Sequence, residues 1–453
     1  MKKGVLLLLV MLAFNSWGES RYYFRVWLKD KAGSRYSTER PEEFLSPKSI
    51  ERRVKQGIKV TETDLPVSEL YAAEILKLSG REASRSRWLN TIVVESGDSL
   101  LPRRLAELPF VKGVEKVFED NFSGASEGEI MIPQGTPAKG YSKSDYGYAL
   151  KQTRMLGGDK LHREGFRGDG ITIAVLDAGF GSTDRMPEYI DTARIYGTRD
   201  FVSPGGDVFS ENYHGTNTLS LMLACKKGEF IGSAPYAGYY LLRTEDIRRE
   251  FPIEEDRWVC GAEYADSIGV DIITSSLGYT SFNGKRVQYT NNNLDGRTAL
   301  SSRAATIAAR TGIIVVNSAG NEGGSDWRKL TFPGDADSIL TVGGVDAGMK
   351  AAPFSSRGYT ADGRVKPDVS ALAVSVAFIN KDGKVAESDG TSFATPIIAG
   401  LTACLWQALP DLTAQQIIEL VRRSGSRFLS PDADYGYGVP DFHKAYKSAV
   451  KLF

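Results

Sequence analysis

Five short apolar runs, at 171–176, 239–242, 270–275, 313–317 and 339–342, are separated by segments long enough to hold helices. A run that is apolar at nearly every position predicts a strand covered on both faces, and strands that alternate with helices predict a parallel sheet. The expected fold class is therefore α/β, with a mainly parallel central sheet. Two helices are expected at the end of the pattern, at 392–408 and 413–423. Thr413 with Gln416 three residues on predicts a capping box at the start of the second.

The residues ahead of this pattern read differently. Strand-like runs at 22–28 and 91–94 and helix-like segments at 46–55 and 67–78 predict a small α+β domain over 19–121. From 122 to 145 the composition turns to Gly, Ser, Pro and Lys, which predicts an exposed linker before a large domain over 146–453. At the N-terminus Lys2 and Lys3, an apolar stretch over 5–14 and the small-residue site Ser16-Trp17-Gly18 predict a signal peptide over 1–18. Export follows, to the periplasm or the medium. A bilayer-spanning helix needs about 20 apolar residues, and neither this stretch nor any later one supplies them, so no membrane partner is expected after cleavage. Fifty-six basic residues balance fifty-six acidic ones, and without a net field no nucleic-acid partner is expected. Cys225, Cys260 and Cys404 are too few for a disulfide framework, and Cys225 and Cys404 read as buried small hydrophobes.

A mechanism that uses an imidazole base must choose among His162, His214 and His443. His214 sits in Asn212-Tyr213-His214-Gly215-Thr216, a small-residue turn that opens a helix and lets the ring project from the scaffold. His162 and His443 lie among charged residues, which predicts solvated surface. Asp177 ends the run 171–176, at the carboxyl end of a buried strand where sites of parallel sheets form. Ser392 lies in Ser388-Asp389-Gly390-Thr391-Ser392-Phe393-Ala394-Thr395-Pro396 at the start of an apolar helix. Taken alone it reads first as a helix cap, and only second as a hydroxyl with a helix dipole behind it.

Together these segments, in the order Asp, His, Ser, resemble the signature blocks of the subtilisin family of serine peptidases. The resemblance covers about residues 145–450 and implies the subtilisin-like three-layer fold and a secreted endopeptidase acting on polypeptide substrates. It assigns Ser392 as nucleophile, His214 as base and Asp177 as the group that fixes the imidazole tautomer. Asn317-Ser318-Ala319-Gly320-Asn321-Glu322-Gly323 looks like the family's oxyanion loop, with Asn321 as donor. The walls of the primary pocket would be Ser276, Leu277 and Gly278 on one side and Ala319 and Gly320 on the other. Thr331, where relatives often carry glycine, is expected to narrow that pocket toward small or medium side chains.

Residues 19–121 look like the family's propeptide, which implies a zymogen whose own N-terminal domain acts as intramolecular inhibitor. Two departures flank the site: Asn217 where relatives have a second histidine, and Ala178 where they have a hydroxyl residue. A catalytically inactive binding protein with the same fold is the alternative. Glu254-Glu255-Asp256 are expected near the cleft rim, either as a solvated loop face or as an attraction for basic substrate residues. No cofactor and no obligatory metal are expected, because the loop 226–230 lacks clustered oxygen ligands; a weak structural calcium site stays open.

Overall fold

The computed structural model describes residues 20–120, 135–283 and 288–450, so the predicted signal peptide and the front half of the predicted linker lie outside the described residues. In the N-terminal unit four strands, β1 (Tyr22–Leu28), β2 (Arg81–Ser86), β3 (Thr91–Ser96) and β4 (Val111–Glu119), form a sheet in the order β2-β3-β1-β4. Its pairings are antiparallel. Helices Pro47–Lys55 and Glu69–Ser79 accompany it. Phe24, Val26, Ile92 and Val94 supply its own small core. Within the predicted linker, β5 (Thr136–Pro137) joins a small antiparallel sheet described below.

The large domain is built on a seven-stranded sheet. Its strands are β6 (Thr172–Asp177), β7 (Ile195–Asp200), β10 (Gly238–Arg243), β11 (Ile272–Ser275), β12 (Ile314–Ser318), β13 (Leu340–Val345) and β14 (Val369–Leu372), with the hairpin β8 (Cys225–Lys226) and β9 (Phe230–Ile231) set apart. The spatial order is β14-β13-β12-β11-β6-β10-β7, and every pairing is parallel. β15 (Val376–Ile379) and β16 (Val385–Ser388) complete the three-stranded sheet with β5.

Side chains that alternate across each strand feed two different cores. Ile173 and Val175 of β6, Ile272 of β11 and Ile314 and Val316 of β12 enter the core that holds the helices His214–Leu223, Thr391–Ala408 and Ala414–Ser424. Ala174 and Leu176, Ile273 and Val315 enter the other, under helices Ile253–Ile268 and Leu300–Arg310. Two cores explain the unbroken apolar runs and give three layers, helix on sheet on helix. The capping box at Thr413 is present, with both of its hydrogen bonds.

Two expectations are corrected. His162 is buried rather than solvated: its Nδ1 lies 2.9 Å from Tyr146 Oη and its Nε2 3.0 Å from the Ser233 carbonyl oxygen. Burial pushes its pKa down to about 4. The charged neighbours Lys160 and Arg163 sit on other faces of the one-and-a-half-turn helix Gly158–Arg163, so they say nothing about the histidine's face. Cys225 is exposed, because the helix ends at Leu223 and the chain turns outward into β8; Cys404 is fully buried as expected, and the three thiols are free.

Candidate active site

In the sheet β6 lies between β10 and β11, and the chain builds outward from it in both directions. A crevice opens at such a switch point beyond the carboxyl ends of the strands. Asp177 ends β6 there and is fully buried. Its Oδ1 accepts hydrogen bonds from His214 Nδ1 at 2.7 Å and from the Ala178 backbone N–H at 2.8 Å. Its Oδ2 accepts one from Thr218 Oγ1 at 3.1 Å.

His214 opens its helix, and Asn212 Oδ1 accepts the His214 backbone N–H at 2.8 Å. A Cβ on Gly215 would fall 2.4 Å from the Gly179 carbonyl oxygen, so only glycine lets this helix start close against the end of β6. The imidazole keeps 14% of its side-chain surface exposed. Burial disfavours the imidazolium, but the Asp177 charge and the hydrogen bond to it outweigh that effect and hold the His214 pKa above the usual histidine value.

Ser392 is the second residue of helix Thr391–Ala408, which packs against the His214 helix. Pro396, inside this helix, has no N–H to offer the carbonyl four residues back. That carbonyl, of Ser392, instead accepts Ser276 Oγ at 3.0 Å, and Ser392 Oγ donates to the Ser276 carbonyl oxygen at 3.3 Å. The pair clasps the helix start to the segment that follows β11. Among the described residues no hydrogen bond joins Ser392 Oγ to His214; Asp177 and His214 are directly bonded, while Ser392 stands at the start of the helix packed against the one that His214 opens.

Asn321 follows β12. Its Oδ1 accepts both the backbone N–H and Oγ1 of Thr391, at 3.0 and 2.9 Å. With its acceptor end fixed on the helix start, the amide presents Nδ2 beside Gly390, 3.8 Å from where a Cβ on that residue would lie.

Thr331 stands between the two expected pocket walls. A Cβ on Gly278 would fall 2.1 Å from Thr331 Oγ1, and one on Gly320 would fall 2.5 Å from Thr331 Cγ2. Its backbone N–H bonds the Ala319 carbonyl oxygen at 3.0 Å, while Tyr279 and Phe332 exchange backbone hydrogen bonds at 2.9 and 3.0 Å. The threonine thus fills the slot that two glycines leave. Leu277, the residue before Gly278, is buried.

Asn217, one of the two departures, is fully buried, and neither of its amide atoms meets a hydrogen-bond partner among the described residues. Two other residues carry weight that the motifs do not show. Thr218 bonds Asp177 from within an ordinary helical stretch that gives no signal. Arg243 donates from Nε to the Ala178 carbonyl oxygen at 3.1 Å and pairs with Asp200 at 2.9 Å and Glu211 at 3.1 Å. Its signal was legible: a charged residue that continues an apolar strand to its carboxyl end.

Against known families, the Subtilase family model matches residues 168–438, and the model of the Peptidase S8 propeptide domain of Bacteroidota matches 23–129. The chain belongs to the subtilase family of serine peptidases. Among curated subtilases, Serine protease AprX of Bacillus subtilis is 31% identical over 60% of this chain and 65% of its own length. The chain thus spans just under two thirds of that relative. Subtilisin DY of Bacillus licheniformis is 28% identical over 63% of this chain and 94% of its own. In structure, MycP1 from Mycobacterium smegmatis shares the fold at a TM-score of 0.53 and 21% identity, covering 69% of this chain and 87% of its own.

The subtilase propeptide docks on helix Ile253–Ile268 of the large domain. Arg25 reaches Asp256 from Nε at 2.7 Å, and Glu263 accepts the backbone N–H groups of Arg87 and Trp88 at 3.0 Å each. Asp266 takes the guanidinium groups of Arg52, Arg53 and Arg87. This corrects the expectation for Glu254-Glu255-Asp256. All three are buried: Glu254 pairs with Arg257, Glu255 accepts from Tyr289 and Ser301, and Asp256 is held by Arg25. In the docked precursor these acids are committed, Asp256 to the propeptide itself, and nothing local in the sequence announces a partner more than 200 residues away.

Proposed function

We propose that the protein is an exported serine endopeptidase, secreted or periplasmic, made as a zymogen and acting on polypeptides through an acyl-enzyme. Ser392 Oγ leaves the Ser276 carbonyl, attacks the scissile carbonyl carbon and passes its proton to His214 Nε2. Asp177, bonded to Nδ1, keeps the proton on that nitrogen and stabilises the imidazolium. The oxyanion is received by Asn321 Nδ2 and the Ser392 backbone N–H at the helix start. His214 then returns the proton to the leaving amine, and water releases the acyl group by the same path. The observation that carries this reading is the 2.7 Å Asp177–His214 pair, with His214 on a helix packed against the one whose start bears Ser392. No cofactor is needed for these steps.

The propeptide acts as intramolecular inhibitor. Its docking supports this, since its last described residue, Asp120, offers its carbonyl to Arg249 of the large domain at 2.7 Å. A fluorophosphonate probe tests the reading. Mature protein is expected to be labelled on Ser392, Ser392→Ala is expected to block labelling and to accumulate as unprocessed precursor, and mature protein that resists the probe would favour the inactive binding protein.

Specificity follows from Thr331. With the slot between Gly278 and Gly320 filled, a peptide library is expected to yield small or medium residues at the cleaved position. Thr331→Gly is expected to raise kcat/KM for large aromatic residues there by about 10-fold or more. A wild-type preference for aromatic residues would overturn the assignment.

A further inference from the structure

The Asp177 carboxylate has two oxygens with unequal support. Oδ1 is held by His214 and by the Ala178 backbone, whereas Thr218 Oγ1, at 3.1 Å, is the one donor to Oδ2 among the described residues. Ala178, next in the chain, has no hydroxyl to give. Thr218 Oγ1 also lies 3.1 Å from the Gly215 carbonyl oxygen, so its single proton has two acceptors. The ionised one attracts it more strongly. Both residues are almost fully buried, so water does not replace this bond.

Thr218 stands four residues after His214 on the same helix, and residues at that spacing share a face. One rigid element therefore carries the imidazole that bonds Oδ1 and the hydroxyl that bonds Oδ2. A carboxylate torsion is otherwise broad. We propose that Thr218 is a positioning residue for the reaction: its hydroxyl, donated to Asp177 Oδ2, holds the carboxylate in the rotamer that presents Oδ1 to His214. The inference rests on the reading of Asp177, His214 and Ser392 as the triad.

Other charged groups near the pair are already committed. Arg243, Asp200 and Glu211 bind one another, with Arg243 Nε on the Ala178 carbonyl. Loss of the Thr218 hydroxyl therefore leaves more unshared negative charge on the carboxylate that faces the imidazole. His214 must be neutral to act as base, so activity rises as pH passes its pKa, which Asp177 already holds above the ordinary value. Stronger attraction moves that acid limb to higher pH.

Thr218→Val keeps the side-chain shape and removes the donor. It is expected to lower kcat by about 10-fold, the scale of a lost hydrogen bond to a charged group, with KM nearly unchanged and the acid limb moved upward. Thr218→Ser, which keeps the hydroxyl, is expected to restore both. A merely structural threonine would move neither the limb nor the split between kcat and KM. The NMR titration of His214 in a Ser392→Ala background reads the same bond without turnover, and is expected to shift upward on adding Thr218→Val. An unmoved titration, or failure of serine to rescue, overturns the inference whatever the probe shows at Ser392. A moved titration in a protein whose Ser392 resists the probe overturns only the catalytic reading.

Discussion

Asn321→Ala is expected to lower kcat about 10²- to 10³-fold, the loss measured when such a side-chain donor is removed from the oxyanion hole of a subtilisin. The amide is fixed by its own acceptor end: Thr391 donates to Oδ1 from both its backbone and its hydroxyl, so Nδ2 is oriented before substrate arrives. A donor aimed at charge that exists only in the transition state leaves ground-state binding alone, so KM is expected to change little. Asn321→Asp is expected to be at least as damaging, since it sets a like charge beside the oxyanion. Steady-state kinetics on one peptide substrate measure both. A kcat within a few-fold of wild type for Asn321→Ala would remove Asn321 from the mechanism.

The second large effect lies away from the chemistry. Asp266→Ala in the uncleaved Ser392→Ala precursor is expected to destabilise the docked propeptide by about 3–5 kcal/mol, the cost of removing one partner of a buried ion pair. Asp266 is fully buried on helix Ile253–Ile268, with Arg52, Arg53 and Arg87 of the propeptide converging on it. Removing it leaves these guanidinium groups together without their shared anion, although Arg53 keeps Asp64 at 2.8 Å. Burial alone would raise this carboxyl; Arg87, Arg52 and Arg53 instead hold it down at about 2.

A carboxyl whose pKa lies below its unfolded value of about 3.9 contributes stability that is complete above that value and is lost as pH falls through the folded one. The contribution of Asp266 is therefore constant through the neutral and mildly acid range and disappears only as pH approaches about 2. Urea unfolding of the two precursors, followed by the signal of the N-terminal unit, measures the difference. Glu115 provides the contrast: it pairs with Arg25 within the propeptide itself, its side chain is 53% exposed, and Glu115→Ala is expected to cost the N-terminal unit less than about 1 kcal/mol. Equal costs at the two positions would show that the buried contact across the interface carries no more weight than an exposed pair within the propeptide.

The same contrast between covered and open positions decided which parts of the fold were legible. In the central sheet the five predicted strands are the interior ones, β6, β10, β11, β12 and β13, and the two that were missed, β7 and β14, are its edges. In the propeptide sheet the predicted strands are again the interior β1 and β3, and the missed β2 and β4 are the edges. An interior strand is covered on its faces and paired on both sides, which forces β-branched and aliphatic residues onto nearly every position. An edge strand is freed on one side. The sequences Ile-Tyr-Gly-Thr-Arg-Asp of β7 and Arg-Glu-Ala-Ser-Arg-Ser of β2 show how little apolar signal then remains.

The amino-acid sequence by itself determined the parallel α/β architecture, the small α+β unit ahead of it and the segments that bring Asp177, His214, Ser392 and Asn321 to the ends of their strands and helices. These follow from periodicity and from motifs a few residues long, in which cause and effect are neighbours in the chain. What only the tertiary structure decided are the pairings between distant segments: Thr218 on Asp177, Arg243 on the Ala178 carbonyl, Thr331 in the slot between Gly278 and Gly320, the burial of His162, and three propeptide arginines on Asp266. A polar side chain does not encode its partner in its own neighbourhood. Which groups it meets, and whether water is excluded when it meets them, is fixed only once the layers have packed.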